Sequence, residues 1–137
     1  YEEVAEIEMV IVCAPTLLSE DEAETTPAKL KGILRKIGFI GSIGADYQHH
    51  PSEEFLKLMG DKPNIAFEAS SQETQKRLCM KGGGVAFLAR FMVEKEIKAG
   101  TLIEIPVSRP LKLTVVLARR TSRALNLNAR TFLDLLR

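Results

Sequence analysis

The chain has 137 residues, of which 45% are hydrophobic and 27% are charged, with a formal net charge of +1. This length and balance predict one folded domain with its own hydrophobic core and exclude a disordered chain. No apolar run is long enough to cross a membrane and no signal-peptide pattern is present, so we predict a cytoplasmic protein without membrane contact. Because the first residue is Tyr1 and not methionine, we expect the chain to be part of a longer protein.

Charge is distributed unevenly along the sequence. Residues 1–24 contain eight acids and no base, whereas residues 109–137 contain seven bases and a single acid, Asp134. Either the basic end is a nucleic-acid face, or the two segments are solvated faces that lie near each other and partly neutralise. The second interpretation is favoured because no aromatic or glycine residues are interleaved with the bases.

The predicted elements alternate between strands and helices. Apolar and β-branched runs predict strands, and capping residues with helical apolar spacing predict helices. This alternation is typical of an α/β fold with an open, largely parallel sheet and helices on both faces. The predicted strands are 7–14, 37–40, 65–69, 85–88, 102–105 and 111–118, and the predicted helices are a short one opening at Thr26-Pro27, then 51–60, 72–81, 89–99 and 128–137 with Asn128 as N-cap.

The stretch from Asn64 to Leu88 is the most regular part of the pattern. Ser70 with Glu73 three residues later forms a capping box, which predicts a helix N-terminus directly after a strand. Three glycines, Gly82-Gly83-Gly84, are predicted to end that helix. They do not form a phosphate loop, because such loops follow a strand and precede a helix, which is the reverse order.

Two polar turns follow predicted strands and are the best candidates for a binding site. In open α/β sheets, ligands bind outside the carboxyl ends of strands, where helix N-termini offer free N–H groups to anions. One turn is Gly41-Ser42-Ile43-Gly44 and the other is Ser70-Ser71. Their hydroxyls and backbone amides suit a small carboxylate or similar anion. The alternative is that Ser70 only caps the helix.

Residues suited to catalysis or metal binding form no recognisable arrangement. Adjacent histidines, His49 and His50, project apart on a regular backbone, and no nearby cluster completes a metal site. Cys13 and Cys79 form no CxxC pair, and we interpret both as reduced thiols in the core. No Ser-His-Asp or Cys-His arrangement nominates a nucleophile. We therefore predict no catalytic residue, no metal and no cofactor, and we do not expect an enzyme.

The stretch FEASSQETQKRLCMKGGGVAFLARFMVEKEIKAGTL resembles the second half of the effector-binding domain of LysR-type transcriptional regulators. That family typically shows a serine-led helix, a small-Gly-x-Gly turn, an apolar strand ending in Leu-Pro, a helix, and then Glu-x-x-x-Gly-x-Leu. The matching segments here are Ser70 or Ser71, Lys81–Gly84, Val85–Ala89 and Glu96–Leu102, with Ile7–Pro15 upstream and Arg109–Arg119 and the Phe132 helix downstream.

The sequence departs from the family pattern at three places. Ala89 stands where the proline after the apolar strand is usual, and Lys81 replaces the small residue before the first glycine. Pro15-Thr16-Leu17 stands where His-Pro-Leu is common. The helix-turn-helix and the first half of the effector domain have no counterpart in the chain.

The resemblance implies a fragment of an effector-binding domain with a periplasmic-binding-protein-like (type 2) lobe and an incomplete second lobe. Residues of about 8–105 would form the second subdomain, and about 106–137 the return strand and helix of the first. The implied function is sensing of a small effector between two lobes, relayed through a homodimer or tetramer to DNA held by an N-terminal helix-turn-helix absent from this chain. By position, the resemblance implies pocket contacts from Ser42, Ile43 and Gly44 and from Ser70 and Ser71.

Two other classes of function stay open. A periplasmic-type solute-binding protein has the same two-lobed architecture, and an export signal upstream would support it. A small α/β enzyme is the third class, and turnover abolished by changing one histidine or carboxylate would establish it.

Overall fold

The structure, a computed structural model, describes residues 2–18, 27–42, 64–107, 110–120 and 123–136. Predictions for the helix at 51–60, for His49 and His50, and for Ile43 and Gly44 lie outside these residues. The strands are β1 Glu2–Cys13, β2 Phe39–Gly41, β3 Ile65–Glu68, β4 Val85–Ala89, β5 Ile103–Ile105 and β6 Leu111–Leu117. The helices are α1 Pro27–Ile37, α2 Gln72–Met80, α3 Arg90–Ala99 and α4 Leu127–Leu136, with a 3-10 turn at Pro15–Leu17.

The strands form one open, six-stranded sheet, which confirms the predicted α/β fold class. The order is β3-β2-β4-β1-β5, and β6 also pairs with β1. Strand β2 is parallel to β3 and β4, whereas β1 is antiparallel to β4, β5 and β6. Strands β2 to β6 therefore share one direction, and β1 alone opposes them. The mixed pairing around β1 was not predicted, because apolar periodicity does not encode the direction in which a strand enters a sheet.

Strand β1 begins at Glu2, five residues before its predicted start at Ile7. Met9 pairs with Ala89 of β4 on one edge and with Leu111 of β6 on the other. Before Met9, β1 pairs only with β6, as far as Glu2 opposite Leu117. Residues 2–8 and β6 thus form a two-stranded ribbon that extends beyond the main sheet. Residues 2–6, EEVAE, did not indicate a strand because they contain no continuous apolar run.

The hydrophobic core has one layer on each face of the sheet. On one face Met9, Ile11 and Cys13 of β1 pack with Ile33 and Leu34 of α1. On the other face, Val10 and Val12 of β1 pack with Cys79 of α2, Val93 of α3 and Leu102, which precedes β5. Because successive strand residues point to opposite faces, one apolar strand supplies both layers. Both cysteines are buried and free, as predicted for core thiols.

Several element boundaries differ from the predictions. Helix α1 has 11 residues and includes Ile37, so β2 begins only at Phe39. Helix α4 begins at Leu127, and the backbone N–H of Ala129 donates to Asn126 Oδ1 at 2.8 Å. The N-cap of α4 is therefore Asn126 and the prediction of Asn128 is wrong, because the capping side chain must precede the first helical residue.

The glycine turn ends α2 as predicted. Gly82 has φ +80°, its N–H donates to Cys79 O at 3.0 Å, and the Gly83 N–H donates to Leu78 O at 2.9 Å. This pair of bonds is a Schellman motif, in which a left-handed residue satisfies carbonyls at the helix end. A Cβ on Gly84 would lie 3.0 Å from the Gly38 carbonyl, so the turn also allows β4 to approach β2 closely.

Candidate functional site

The two predicted turns meet at one edge of the sheet. Strands β2 and β3 are parallel neighbours, and the Ala69 N–H donates to Gly41 O at 2.9 Å just beyond them. Ser42 directly follows β2, and Ser70 lies two residues after the end of β3. Because parallel strands end at the same edge, their trailing loops are neighbours. Ser42, Ser70 and Ser71 are all exposed there.

The side chain of Gln75 on α2 hydrogen-bonds to both turns. Its side chain is buried, and Nε2 lies 3.0 Å from Ser42 Oγ and 3.0 Å from Ala69 O, with Gly41 O at 3.4 Å. An amide nitrogen has two hydrogens, so the contact with Gly41 O is the weakest of the three. The carboxamide therefore fixes the spacing between the loop after β2 and the loop after β3.

Gln75 was not among the predicted site residues, although its position held a usable signal. It lies four residues before Cys79, which places both on one face of α2. A helix that buries Cys79 must therefore also bring Gln75 towards the sheet. A buried carboxamide needs hydrogen-bond partners, and the carbonyls at the ends of β2 and β3 supply them.

The helix beside these turns is capped by Ser71, so the predicted capping box of Ser70 and Glu73 is wrong. Ser71 Oγ accepts from the Thr74 N–H at 3.2 Å. Since α2 begins at Gln72, the third helical residue is Thr74 and not Glu73. Glu73 instead pairs with Arg77 one turn later, with Oε1 3.3 Å from Nε. Ser71 is therefore the N-cap of α2, and Ser70 does not cap the helix.

The first turn of α2 gives the site its electrostatic character. The Thr74 N–H is capped and the Gln75 N–H donates to Ser71 O at 3.0 Å. The amides of Gln72 and Glu73 have no intrahelical acceptor, as in any α-helix. They add to the positive end of the helix dipole, so this edge of the sheet can accept hydrogen-bonding anions.

Helix α2 is also held in place by contacts with α3 and with the sheet. Lys76 Nζ lies 2.6 Å from Glu96 Oε1 of α3, and this hydrogen bond lowers the pKa of the Glu96 carboxyl. Cys79 Sγ lies 3.4 Å from Val12 O and 3.6 Å from Gly84 O. Burial raises the pKa of the Cys79 thiol to about 12, so it stays protonated at neutral pH. These contacts anchor the helix that presents Ser71 and Gln75.

Within the described ranges, no group of three or more His, Cys, Asp or Glu side chains could hold a metal ion. Among the helices that the structure describes, none has the length and apolar character needed to cross a membrane.

The acidic N-terminal segment and the basic C-terminal segment lie side by side where β1 pairs with β6, and one ion pair joins them. Lys112 of β6 pairs with Glu6 of β1, with Nζ 3.4 Å from Oε2.

Two cavities lie away from the serine turns. One of about 420 Å³ lies between the residues after β6 and helix α4. The other, of about 240 Å³, lies beside Arg90 near the connection from β5 to β6. Neither is lined by Ser42, Ser70 or Ser71.

The fold is thus an α/β domain whose polar turns lie at the carboxyl ends of parallel strands, the arrangement used by many small-molecule-binding domains. The sequence model of the family described as LysR substrate binding domain matches residues 1–137. The chain therefore belongs to the LysR substrate-binding domain family, as the resemblance predicted.

Solved structures with the same fold are LysR-type effector domains, which are periplasmic-binding-protein-like. The chain superposes on the regulatory domain of CrgA from Neisseria meningitidis with a TM-score of 0.59 and 21% identity, covering 98% of this chain and 66% of that one. For the AmpR effector-binding domain from Citrobacter freundii the TM-score is 0.62, with 19% identity and coverage of 98% and 64%. For full-length HypT from Salmonella typhimurium, a hypochlorite-specific LysR-type regulator, the TM-score is 0.60 and the identity is 17%. That match covers 98% of this chain and 44% of HypT.

The chain thus spans at most about two thirds of the length of these three structures. At these identities, the likeness establishes the fold alone. No curated protein sequence is similar enough to count as a match.

Proposed function

We propose that this chain is the effector-sensing part of a cytoplasmic, DNA-binding LysR-type transcriptional regulator. Its family membership over residues 1–137 supports a regulator rather than the alternative of a periplasmic-type solute-binding protein. The single observation that supports the placement of the site is the Gln75 carboxamide, which binds the turns after β2 and β3 together at one sheet edge.

The proposed effector site comprises Ser42, Ile43, Gly44, Ser70 and Ser71, with Gln75 positioning the two turns. Ser42 and Ser70 are exposed, and Ser71 caps α2. The exposed turns form one wall, and the facing lobe supplies the second. In this arrangement closure of the two lobes around the effector is the event that the protein relays.

The effector is proposed to be a small anion such as a carboxylate. The support is the N-terminus of α2, whose free amides and dipole favour a negative group, together with two serine hydroxyls that can donate. The acid in the first turn of this helix, Glu73, is paired with Arg77, which reduces its repulsion of a bound anion.

The chain divides between the two lobes, with about 8–105 in one and about 106–137 in the other. The support is the apolar surface of α4, where Phe132 is 58% and Leu135 is 81% exposed. Side chains of this type are normally covered, and the solved regulatory domains are longer than this chain. The remainder of the domain is the proposed cover.

DNA binding is assigned to an N-terminal helix-turn-helix, and the assembly is proposed to be a homodimer or tetramer. Light scattering of the full-length protein measures the assembly, and gel shift with its operator measures DNA binding. A full-length sequence without a helix-turn-helix would contradict the assignment.

The site is tested with Ser42→Ala and Ser70→Ala in the full-length protein. Loss of a hydroxyl that hydrogen-bonds a charged ligand costs about 1.5–3 kcal/mol, so we expect effector affinity to fall about 10- to 100-fold. Operator binding without effector should be unchanged. The readout is operator binding or reporter expression across an effector titration.

Thr114→Ala serves as the matched control, because it removes an exposed hydroxyl from β6, away from the proposed site. It should leave the effector response unchanged. A normal response in both serine variants would place the pocket elsewhere.

A further inference from the structure

An open cavity of about 420 Å³ lies between helix α4 and the described residues that follow β6, and the proposed effector site does not use it. This volume lies in the range of about 300–1,000 Å³ that is typical of small-molecule sites. The cavity is lined by Arg119, Arg120, Arg123, Ala124, Leu125, Arg130, Leu133 and Asp134.

The lining is strongly basic. It contains four arginines and one acid, Asp134, so its formal charge is 4 − 1 = +3. Within the described part of the chain, none of these arginines forms an ion pair with a carboxylate. By contrast, Arg77 and Arg90 are both paired with carboxylates. The four guanidinium groups around one concavity repel each other, and a bound anion would relieve that repulsion.

We propose that this cavity, here called the arginine cavity, binds a small multivalent anion that bears phosphate or carboxylate groups. Guanidinium groups bind such oxyanions through paired hydrogen bonds with a fixed fork geometry. The buried Leu133 and half-buried Leu125 form an apolar floor that accommodates a short carbon skeleton. Arginines from two segments, Arg123 before α4 and Arg130 on it, converge on the same space.

A small anion fits these features better than nucleic acid does. The arginines surround a concavity of limited volume, whereas a nucleic-acid backbone requires an extended basic groove. The lining contains no aromatic side chain that could stack on a base. Asp134 would also repel a phosphate backbone that passed along the cavity.

This inference is independent of the proposed effector site. The arginine cavity shares no residue with the serine turns and lies on α4 and the segment before it, not at the ends of β2 and β3. A regulator with both sites would respond to two different anions.

The test is calorimetric titration of the full-length protein with inorganic pyrophosphate at constant ionic strength. We expect saturable binding of one pyrophosphate per chain. In the double variant Arg123→Gln/Arg130→Gln, losing two charged hydrogen-bonding groups should weaken binding at least about tenfold. Arg35→Gln, which changes an exposed arginine on α1, is the control and should bind as the wild type does.

A variant that is expected to strengthen binding separates loss of the site from misfolding, because a misfolded protein would not bind more tightly. Asp134→Asn removes the only acid from the lining, so it should strengthen pyrophosphate binding, by about two- to tenfold for a change of 0.4–1.4 kcal/mol. Circular dichroism monitors the fold of each variant.

Three outcomes would overturn the proposal. They are the absence of saturable pyrophosphate binding, equal weakening by Arg35→Gln, and unchanged or weaker binding by Asp134→Asn. Saturable binding of a short random DNA duplex that is lost in Arg123→Gln/Arg130→Gln, without pyrophosphate binding, would instead assign the arginines to nucleic acid. Because the serine site shares no residue with the arginine cavity, the arginine and Asp134 variants should leave the effector response unchanged. Failure of one proposal therefore does not contradict the other.

Discussion

Gln75 shows how one buried polar residue determines the geometry of two exposed loops. Its carboxamide contacts Ser42 Oγ and the carbonyls of Gly41, the last residue of β2, and Ala69, the first residue after β3. Gly41 O also accepts from the Ala69 N–H, so the amide reinforces a contact between neighbouring strands. A shift of this side chain would change the distance between the two proposed ligand-binding turns.

Gln75→Ala should destabilise the protein by about 1–3 kcal/mol, because buried acceptors lose their donor. It should also weaken the effector response, since the turns lose their common anchor. Urea unfolding measures the first effect. Gln72→Ala, at an exposed position of the same helix, should stay within about 0.5 kcal/mol of the wild type. Equal losses in the two variants would contradict the anchoring role.

The Cys79 thiol makes stability depend on pH in the alkaline range. Burial, with Cys13 adding a smaller effect, raises its pKa from 9.0 to about 12. Between those values the unfolded chain binds fewer protons than the folded one. The contribution to stability is therefore complete below pH 9.0 and is lost as pH rises towards about 12.

We expect this thiol to make the free energy of unfolding fall by up to about 1.4 kcal/mol per pH unit in that window. Cys79→Ala should lower stability at every pH because it leaves a cavity. Its dependence on pH above 9.0 should nevertheless be shallower than that of the wild type. Urea titrations at several alkaline pH values compare the slopes, and identical slopes would contradict the assignment.

At the scale of elements, α2 is defined by its two ends. Ser71 caps the first turn and the Gly82–Gly83 motif satisfies the last carbonyls. Two adjacent serines both satisfy the sequence pattern of an N-cap. The choice of Ser71 depends on the path that the chain takes as it leaves β3, with Ala69 bonded to Gly41. Local sequence rules therefore predict the helix and its first residue, Gln72, but not which serine caps it.

The two serines can be separated by stability measurements. Ser71→Ala should cost about 1 kcal/mol, because the Thr74 N–H loses its acceptor. Ser70→Ala should cost less than about 0.5 kcal/mol, since Ser70 does not cap the helix. Chemical denaturation of both variants tests this order. A larger loss of stability in Ser70→Ala than in Ser71→Ala would identify Ser70 as the N-cap instead.

At the scale of the whole molecule, Arg90 connects elements at the base of the β1–β6 ribbon. Its guanidinium donates to Glu104 of β5 through Nη1 at 3.0 Å and Nη2 at 2.6 Å. Nε lies 3.0 Å from Glu8 Oε1 of β1. The hydrogen bond to Glu104 is the main cause of a raised Arg90 pKa. The first residue of α3 thus holds both strands where the ribbon leaves the sheet.

Arg90→Gln should lower stability by about 1 kcal/mol, a value reduced for its partial exposure to solvent. The loss should shrink at high salt, because screening weakens the ion pairs of the wild type. Arg77→Gln is a matched control, since it breaks only one exposed pair within α2 and should cost about 0.3–0.5 kcal/mol. Unfolding at low and high salt measures both. A cost for Arg90→Gln no larger than that of the control would contradict the connecting role.

The sequence by itself determined the class of fold and the two polar turns that follow strands. Apolar periodicity, caps and glycines are local signals, and Val85–Ala89 and the Gly82 turn lie where they predict. Only the tertiary structure decided the opposed direction of β1, the N-cap at Ser71, the anchoring by Gln75 and the convergence of the arginines around one cavity. Each of these depends on contacts between residues distant in sequence, and a local pattern does not encode such contacts.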